Sequence, residues 1–287
     1  MNRQYALLKF MSKKEYAEAF MDGDFYMNSL YYFWNEYMPE DPTKHLQSSL
    51  TGGQGDSLEG TVSTGNDLDV SLDFYDRTIS DTIYRSVGYK YCNVLCFYKL
   101  YIMINNCFLS YDYPDMGEFG DYVIIVKDPS ELIRRFGVSV EQDGYHYLCG
   151  SVRYRPLKRG VERSPVSEIH HLLLKAARKY NMEDLNLRSY RDCFIKMDDL
   201  SYQNEWRIAL YRGEKNTDAY QLKIGSIRDI ATYVKRDELG WMIEDLFHKE
   251  DIKPGVVGFE GNVSRRDMKR MFYKLGDNKV EKLVFTN

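Results

Sequence analysis

The spacing of strand-type runs constrains this chain most. "YALLKF" (Tyr5–Phe10), "YCNVLCFYKLYI" (Tyr91–Ile102), "DYVIIVK" (Asp121–Lys127), "YHYLCGSVRYRPL" (Tyr145–Leu157), "SYQNEWRIAL" (Ser201–Leu210) and "AYQLKIG" (Ala219–Gly225) are short and rich in aromatic and β-branched residues. Helical patterns interrupt them irregularly, without the strict strand–helix alternation of a doubly wound fold. The order predicts an α+β protein with a mainly antiparallel sheet and flanking helices, read as one domain over residues 1–287. With 44% hydrophobic residues the chain can bury a sizeable core.

Several helices carry their boundaries in the sequence. "FMSKKEYAEAFMDGDFYMNSL" predicts a helix with Ser12 and Glu15 as a capping box, an apolar stripe of Tyr16, Ala19 and Phe20, and a stop at Gly23. "YALLKF" before it and "DFYMNSLYYF" after it read as extended, giving a β-α-β opening. "KDPSELIRRFG" predicts a short helix capped by Asp128, with Pro129 at its first position, Glu131 completing the box and Gly137 ending it. Further helices are expected from Ser164, around Leu239 to Phe247, and after Ser264 and Asp267, with strands at "GVVGFEG" and "VEKLVF". "AYQLKIG" is expected to pair with the Glu205 strand across the turn "YRGEKNTD".

From Met38 to about Ser80 glycine, serine and acids dominate, with little periodicity beyond a possible strand from Val70 to Phe74. The expectation is a long irregular cover.

Composition excludes some functions. A formal charge of −4 and a pI near 5.8 argue against a surface built to hold duplex DNA, which needs a basic field. No apolar run approaches the roughly 20 residues that cross a bilayer, and no secretory signal pattern opens the chain, so a cytoplasmic protein is expected. The cysteines, Cys92, Cys96, Cys107, Cys149 and Cys193, lack a zinc-knuckle or disulfide-framework spacing and read as reduced, mostly buried thiols. His170 and His171 are adjacent, so they do not share a helix face as zinc ligands would; no metal site is expected. "GGQGDSLEG" lacks the lysine of a P-loop. The 25 tyrosines suit half-buried sheets and wet binding surfaces alike.

Period two places Gln203, Glu205 and Arg207 on one strand face, about 7 Å between successive members, and Asn204, Trp206, Ile208 and Leu210 on the other. The polar face reads either as exposed, with cross-strand ion pairs, or as the edge of an active site. In the second reading Glu205 stabilises an oxocarbenium-like transition state at a ribose, and Gln203 orients the attacking group.

"KFMSKKEYAEAFMDGDFYMNSLYYF", "GDSLEG", "LCFYKL", "GEFGDYVIIVKDPSELIRRFG" and "CFIKMDDLSYQNEWRIALYRGE" together resemble a family of bacterial and prophage-borne proteins with a domain of unknown function. "QNEWR" resembles the Glu-x-Glu-Trp-Arg strand of a broader superfamily, with Gln203 in place of the first glutamate. More remotely, the strand–helix–strand opening and the later Gln-x-Glu strand are similar to the ADP-ribosyltransferases, which use NAD. That resemblance implies Glu205 as the catalytic glutamate, Gln203 as the acceptor-orienting residue, and Tyr26, Asn28 and Ser29 as part of a nicotinamide pocket. Those enzymes usually carry a first-strand arginine or histidine, whereas this strand offers Lys9 and, before it, Arg3; Arg207 is placed to hold a phosphate or pair with Glu205. A Ser-Thr-Ser motif is missing, "STG" at 63–65 falling in the irregular segment.

The function this resemblance implies is that of an NAD-dependent, ADP-ribosyltransferase-like protein of bacterial or phage conflict systems, acting on a protein or nucleic acid acceptor. The alternative is a non-catalytic accessory protein that binds a protein or nucleotide through a tyrosine-rich surface.

Overall fold

The computed structural model describes residues 3–37, 61–64, 75–77, 83–86, 91–105, 108–111, 119–155, 193–214, 217–249, 252–253 and 260–262. In chain order the elements are β1 (Arg3–Met11), α1 (Lys14–Met21), β2 (Asp24–Ser29), α2 (Leu30–Tyr37), β3 (Thr61–Thr64), β4 (Tyr75–Arg77), β5 (Ile83–Ser86) and β6 (Cys92–Asn105). They continue with β7 (Phe108–Tyr111), β8 (Tyr122–Val126), α3 (Pro129–Gln142), β9 (His146–Ser151), β10 (Arg153–Arg155) and β11 (Ile195–Met197). A 3-10 turn at Asp198–Gln203 leads to β12 (Glu205–Tyr211), β13 (Tyr220–Lys223), β14 (Ala231–Lys235), α4 (Leu239–His248) and β15 (Glu260–Gly261). The class is α+β, as the run spacing predicts.

Ten strands form one sheet, in which β14-β8-β1-β6-β12-β9-β15 are successive neighbours, while β2 and β7 join along β6 and β13 joins β2. Every pairing in it is antiparallel. β10 and β11 form a separate parallel pair, and β3, β5 and β4 a three-stranded antiparallel sheet. β3 and β4 fall within the stretch expected to be irregular; the Val70 to Phe74 strand and the rest of 38–80 lie outside the described residues. So do the helices expected from Ser164 and after Ser264, and the last strand, "VEKLVF".

The register sorts side chains onto two faces. On one, Tyr5, Leu7, Leu95, Phe97, Ile124, Val126, Tyr147, Cys149, Trp206, Ile208 and Leu210 pack with Ala17, Phe20 and Met21 of α1 and Leu132, Ile133, Phe136 and Val140 of α3. The other face carries two apolar clusters. Ala6, Leu8, Tyr98, Leu100, Val123, Ile125 and Val234 lie under α4, and Cys92, Val94, Leu148, Ala209 and Tyr211 lie under Leu30, Cys193 and Phe194. β12 is buried at every position, so its charged face does not meet water as a half-exposed strand would.

Several local expectations are corrected. α1 begins after Lys13 and no side chain caps it; Ser12 is not its cap. Its buried residues are Ala17, Phe20 and Met21, while Tyr16 and Ala19 face solvent, a stripe rotated by one position. Gly23 does follow the helix end, at φ 83°. The "LYYF" stretch is helical because the Ser29 hydroxyl accepts the Tyr32 N–H at 3.1 Å and starts α2. Asp128 and Pro129 open α3 as expected, the Asp128 carboxylate accepting the Glu131 N–H at 3.1 Å. Gly137 does not stop that helix, which runs on to Gln142.

β13 pairs with β2, from Tyr220↔Met27 to Lys223↔Asp24, and not with β12. Both edges of β12 are already taken by β6 and β9.

Candidate functional site

Between the two apolar clusters lies a buried polar one built on the start of β12. β6 and β9 flank it, with Glu205 opposite Tyr98 and Arg207 opposite Cys96 on one side and Gly150 on the other. The Arg207 side chain, 1% exposed, donates from Nε to Glu205 Oε1 at 2.6 Å, from Nη2 to Oε2 at 3.2 Å, and from Nη1 to the Cys193 carbonyl at 2.8 Å. Lys196 of β11 donates to Glu205 Oε2 at 3.1 Å and to Gln203 Oε1 at 2.8 Å. Val152 N–H donates to the Glu205 carbonyl and Arg153 N–H to that of Phe194, which seats β10 and β11 over the sheet and delivers Lys196.

Gln203 is not a member of the strand. It ends the 3-10 turn, and Asn204 follows at φ 35°, a left-handed conformation held by its side-chain amide on the Lys99 carbonyl. The turn still returns Gln203 to Glu205, through Lys196. Tyr154 accepts the Glu205 N–H at 2.8 Å; burial first, then the Glu205 charge, pushes its phenol up to about 12.

Burial alone would raise the Glu205 carboxyl, but Arg207 and Lys196, with hydrogen bonds from Arg207 and Cys96, hold it well below the usual carboxylate range. Glu205 is therefore an anion. Two Arg207 donors, one Lys196 donor and the Cys96 thiol occupy its oxygens, which together offer about four acceptor sites. Burial and then the adjacent Glu205 charge push the Cys96 thiol up to about 12, so it stays protonated and is no thiolate nucleophile.

Lys9 joins this cluster from β1. The residue is half-buried, and its ammonium, with no hydrogen bond or ion pair among the described residues, lies within electrostatic reach of Cys96 and Glu205. Burial lowers its pKa, and the neighbouring Cys96 and Glu205 oppose that only in part.

The edge of β6 is broken beside it. β1 pairs with β6 as far as Leu8↔Tyr98, and β2 takes over at Asn28↔Val94, leaving 95–97 unpaired on that side. Lys99 N–H and C=O both meet Asn204 across the β12 edge, so by ladder alternation the main-chain groups of Cys96 point into the break. Lys9 and the half-buried Asn28 flank it.

The structure thus brings together Lys9, Gln203, Glu205 and Arg207, with Asn28 at the border. It does not bring Tyr26 or Ser29 there. Tyr26 lies on the β2–β13 ribbon, 63% exposed, and the buried Ser29 hydroxyl donates to the Thr217 carbonyl while capping α2. Lys196, Cys96 and Tyr154 were not foreseen as members. Cys96 was expected only as a buried thiol, and no spacing in the sequence ties any of the three to Glu205. No known family, curated protein or solved structure matches the chain.

The NAD chemistry that the sequence resemblance implies places a geometric demand on these residues. A glutamate that stabilises a ribose cation needs a free edge on its carboxylate, and Glu205 has its acceptor positions engaged by this chain's own donors. As placed, these residues do not fit that role. Among the described residues no group of three or more His, Cys, Asp and Glu side chains could hold a metal ion, and no helix is long and apolar enough to cross a membrane.

Proposed function

We propose that the chain is a nucleotide-binding protein whose phosphate-recognising group is Lys9, set in the break of the β6 edge. One observation carries the reading: Lys9, a half-buried residue with no ion-pair partner among the described residues, flanks the break in the β6 edge into which the main-chain groups of Cys96 point. A phosphate would neutralise Lys9, and the Cys96 N–H and C=O are a donor and acceptor suited to an amide or base edge. Glu205, Arg207 and Lys196 form the rigid wall behind it.

Calorimetric titration with ADP and NAD tests the reading. Lys9→Met should weaken binding by roughly ten- to a hundredfold, the loss of one hydrogen bond to a charged group. Unchanged affinity in that variant refutes it. Burial lowers the Lys9 pKa, and an anionic ligand would raise it again. Binding should then take up protons, and affinity should fall as pH rises through the lowered pKa, which titrations in buffers of differing ionisation enthalpy would reveal.

A second reading, NAD-dependent ADP-ribosyl transfer, is favoured by the meeting of Lys9, Gln203, Glu205 and Arg207. It requires Glu205 to exchange one of its donors for a ribose hydroxyl. Release of nicotinamide from NAD, lost in Glu205→Gln while a urea melt shows that variant still folded, would select transfer over binding alone.

A further inference from the structure

Outside this cluster, Arg212 is the polar side chain the fold leaves least explained. It follows directly after β12, about 23 Å along the strand from Glu205, and its guanidinium lies over the Tyr220 ring at 4.7 Å. Tyr145 meets Tyr220 edge-on at 5.8 Å, and the Tyr220 hydroxyl donates to Asp143 Oδ2 at 2.8 Å, so the ring beneath the guanidinium is fixed. Asp143 is engaged by that hydroxyl.

Nε and Nη2 of Arg212 are both sealed from solvent, and neither has a hydrogen-bond partner among the described residues. These two N–H groups form one edge of the guanidinium plane, the edge that meets two oxygens of a carboxylate or phosphate side by side. Water does not reach the edge. A cation placed there only to stack on Tyr220 would have no reason to turn this edge inward.

We propose that the Nε–Nη2 edge of Arg212 is an anion-binding site for a ligand carrying two adjacent anionic oxygens, a carboxylate or a phosphate. The anion reaches it when the covering side chains part. Association should therefore be slower than the roughly 10⁵–10⁷ M⁻¹s⁻¹ of binding without rearrangement.

Inorganic phosphate and acetate, added separately to the full chain, are the probes. The readouts are the Arg212 Nε–H resonance, assigned by its absence from Arg212→Lys, and the melting temperature. One or both anions should shift the resonance saturably and raise the melting temperature, phosphate alone identifying a phosphate ligand and acetate alone a carboxylate. Arg212→Lys should weaken the stabilisation at least tenfold, because an ammonium cannot present two parallel N–H groups.

The proposal is overturned if neither anion moves the resonance, or if the stabilisation persists undiminished in Arg212→Lys. It is equally overturned if the response disappears in Lys9→Met, which would place the anion at the other site. The lysine variant keeps the charge, so the test stands even if Arg212→Met fails to fold.

Discussion

Glu205 holds together the β12 start, the β10–β11 pair and the turn between them. Removing one member of a buried ion pair leaves the other charges uncompensated, at about 3–5 kcal/mol. Glu205→Gln is expected to lose stability of that order in urea melts, because Arg207 and Lys196 remain buried beside a neutral amide. The pH dependence follows from the same group. Folding lowers the Glu205 pKa from its ordinary 4.5, so its contribution is complete above that value and is lost as pH falls through the lowered one. Urea melts from pH 7 downward should show the loss beginning below about pH 4.5, and Glu205→Gln should remove that part of the slope. Period two identified Glu205 and Arg207 as neighbours on one face. It could not show that this face is covered, because the cover comes from Cys193–Lys196, and no local spacing ties that segment to β12.

The elements that the sequence specified well are those whose signals are local. α3 has Asp128 and Pro129 at its start, β8 is a continuous apolar run, and β6 is dominated by aromatic and aliphatic residues. Where the sequence misled, a contact distant in the chain decided. Gly137 reads as a helix stop, yet it is buried mid-helix, where an added Cβ would stand 2.5 Å from Tyr147 Oη and 3.0 Å from Cζ. Its role is to admit Tyr147. Gly137→Ala should therefore destabilise by about 1–3 kcal/mol through overpacking, against the roughly 1 kcal/mol that helix propensity would contribute in its favour. A thermal melt showing a gain would refute this account. Asn204 ends the 3-10 turn with positive φ and ties its amide to the Lys99 carbonyl. Asn204→Ala loses both the tolerated conformation and the bond, Asn204→Gly only the bond, so alanine should be the more damaging by about 1 kcal/mol in urea melts. Neither the turn nor the pairing of β13 with β2 follows from a period-two reading, which carries a strand's faces and not its partners.

At the scale of the molecule, the class and the antiparallel bias were legible from run spacing, since hairpin-like order without regular crossovers leaves few alternatives. The strand order was not, because β6 pairs, besides its hairpin neighbour β7, with β1, β2 and β12, strands from widely separated parts of the chain. Tyr5 of β1 and Cys149 of β9 nevertheless share one apolar cluster with α1 and α3, although β6 and β12 run between those two strands. Because β12 emerges long after β6 during synthesis, the growing polypeptide must carry an apolar, unsatisfied ladder through much of its translation. A ribosome stalled before Glu205 would hold a product prone to clump, and one released after Tyr211 should stay dispersed.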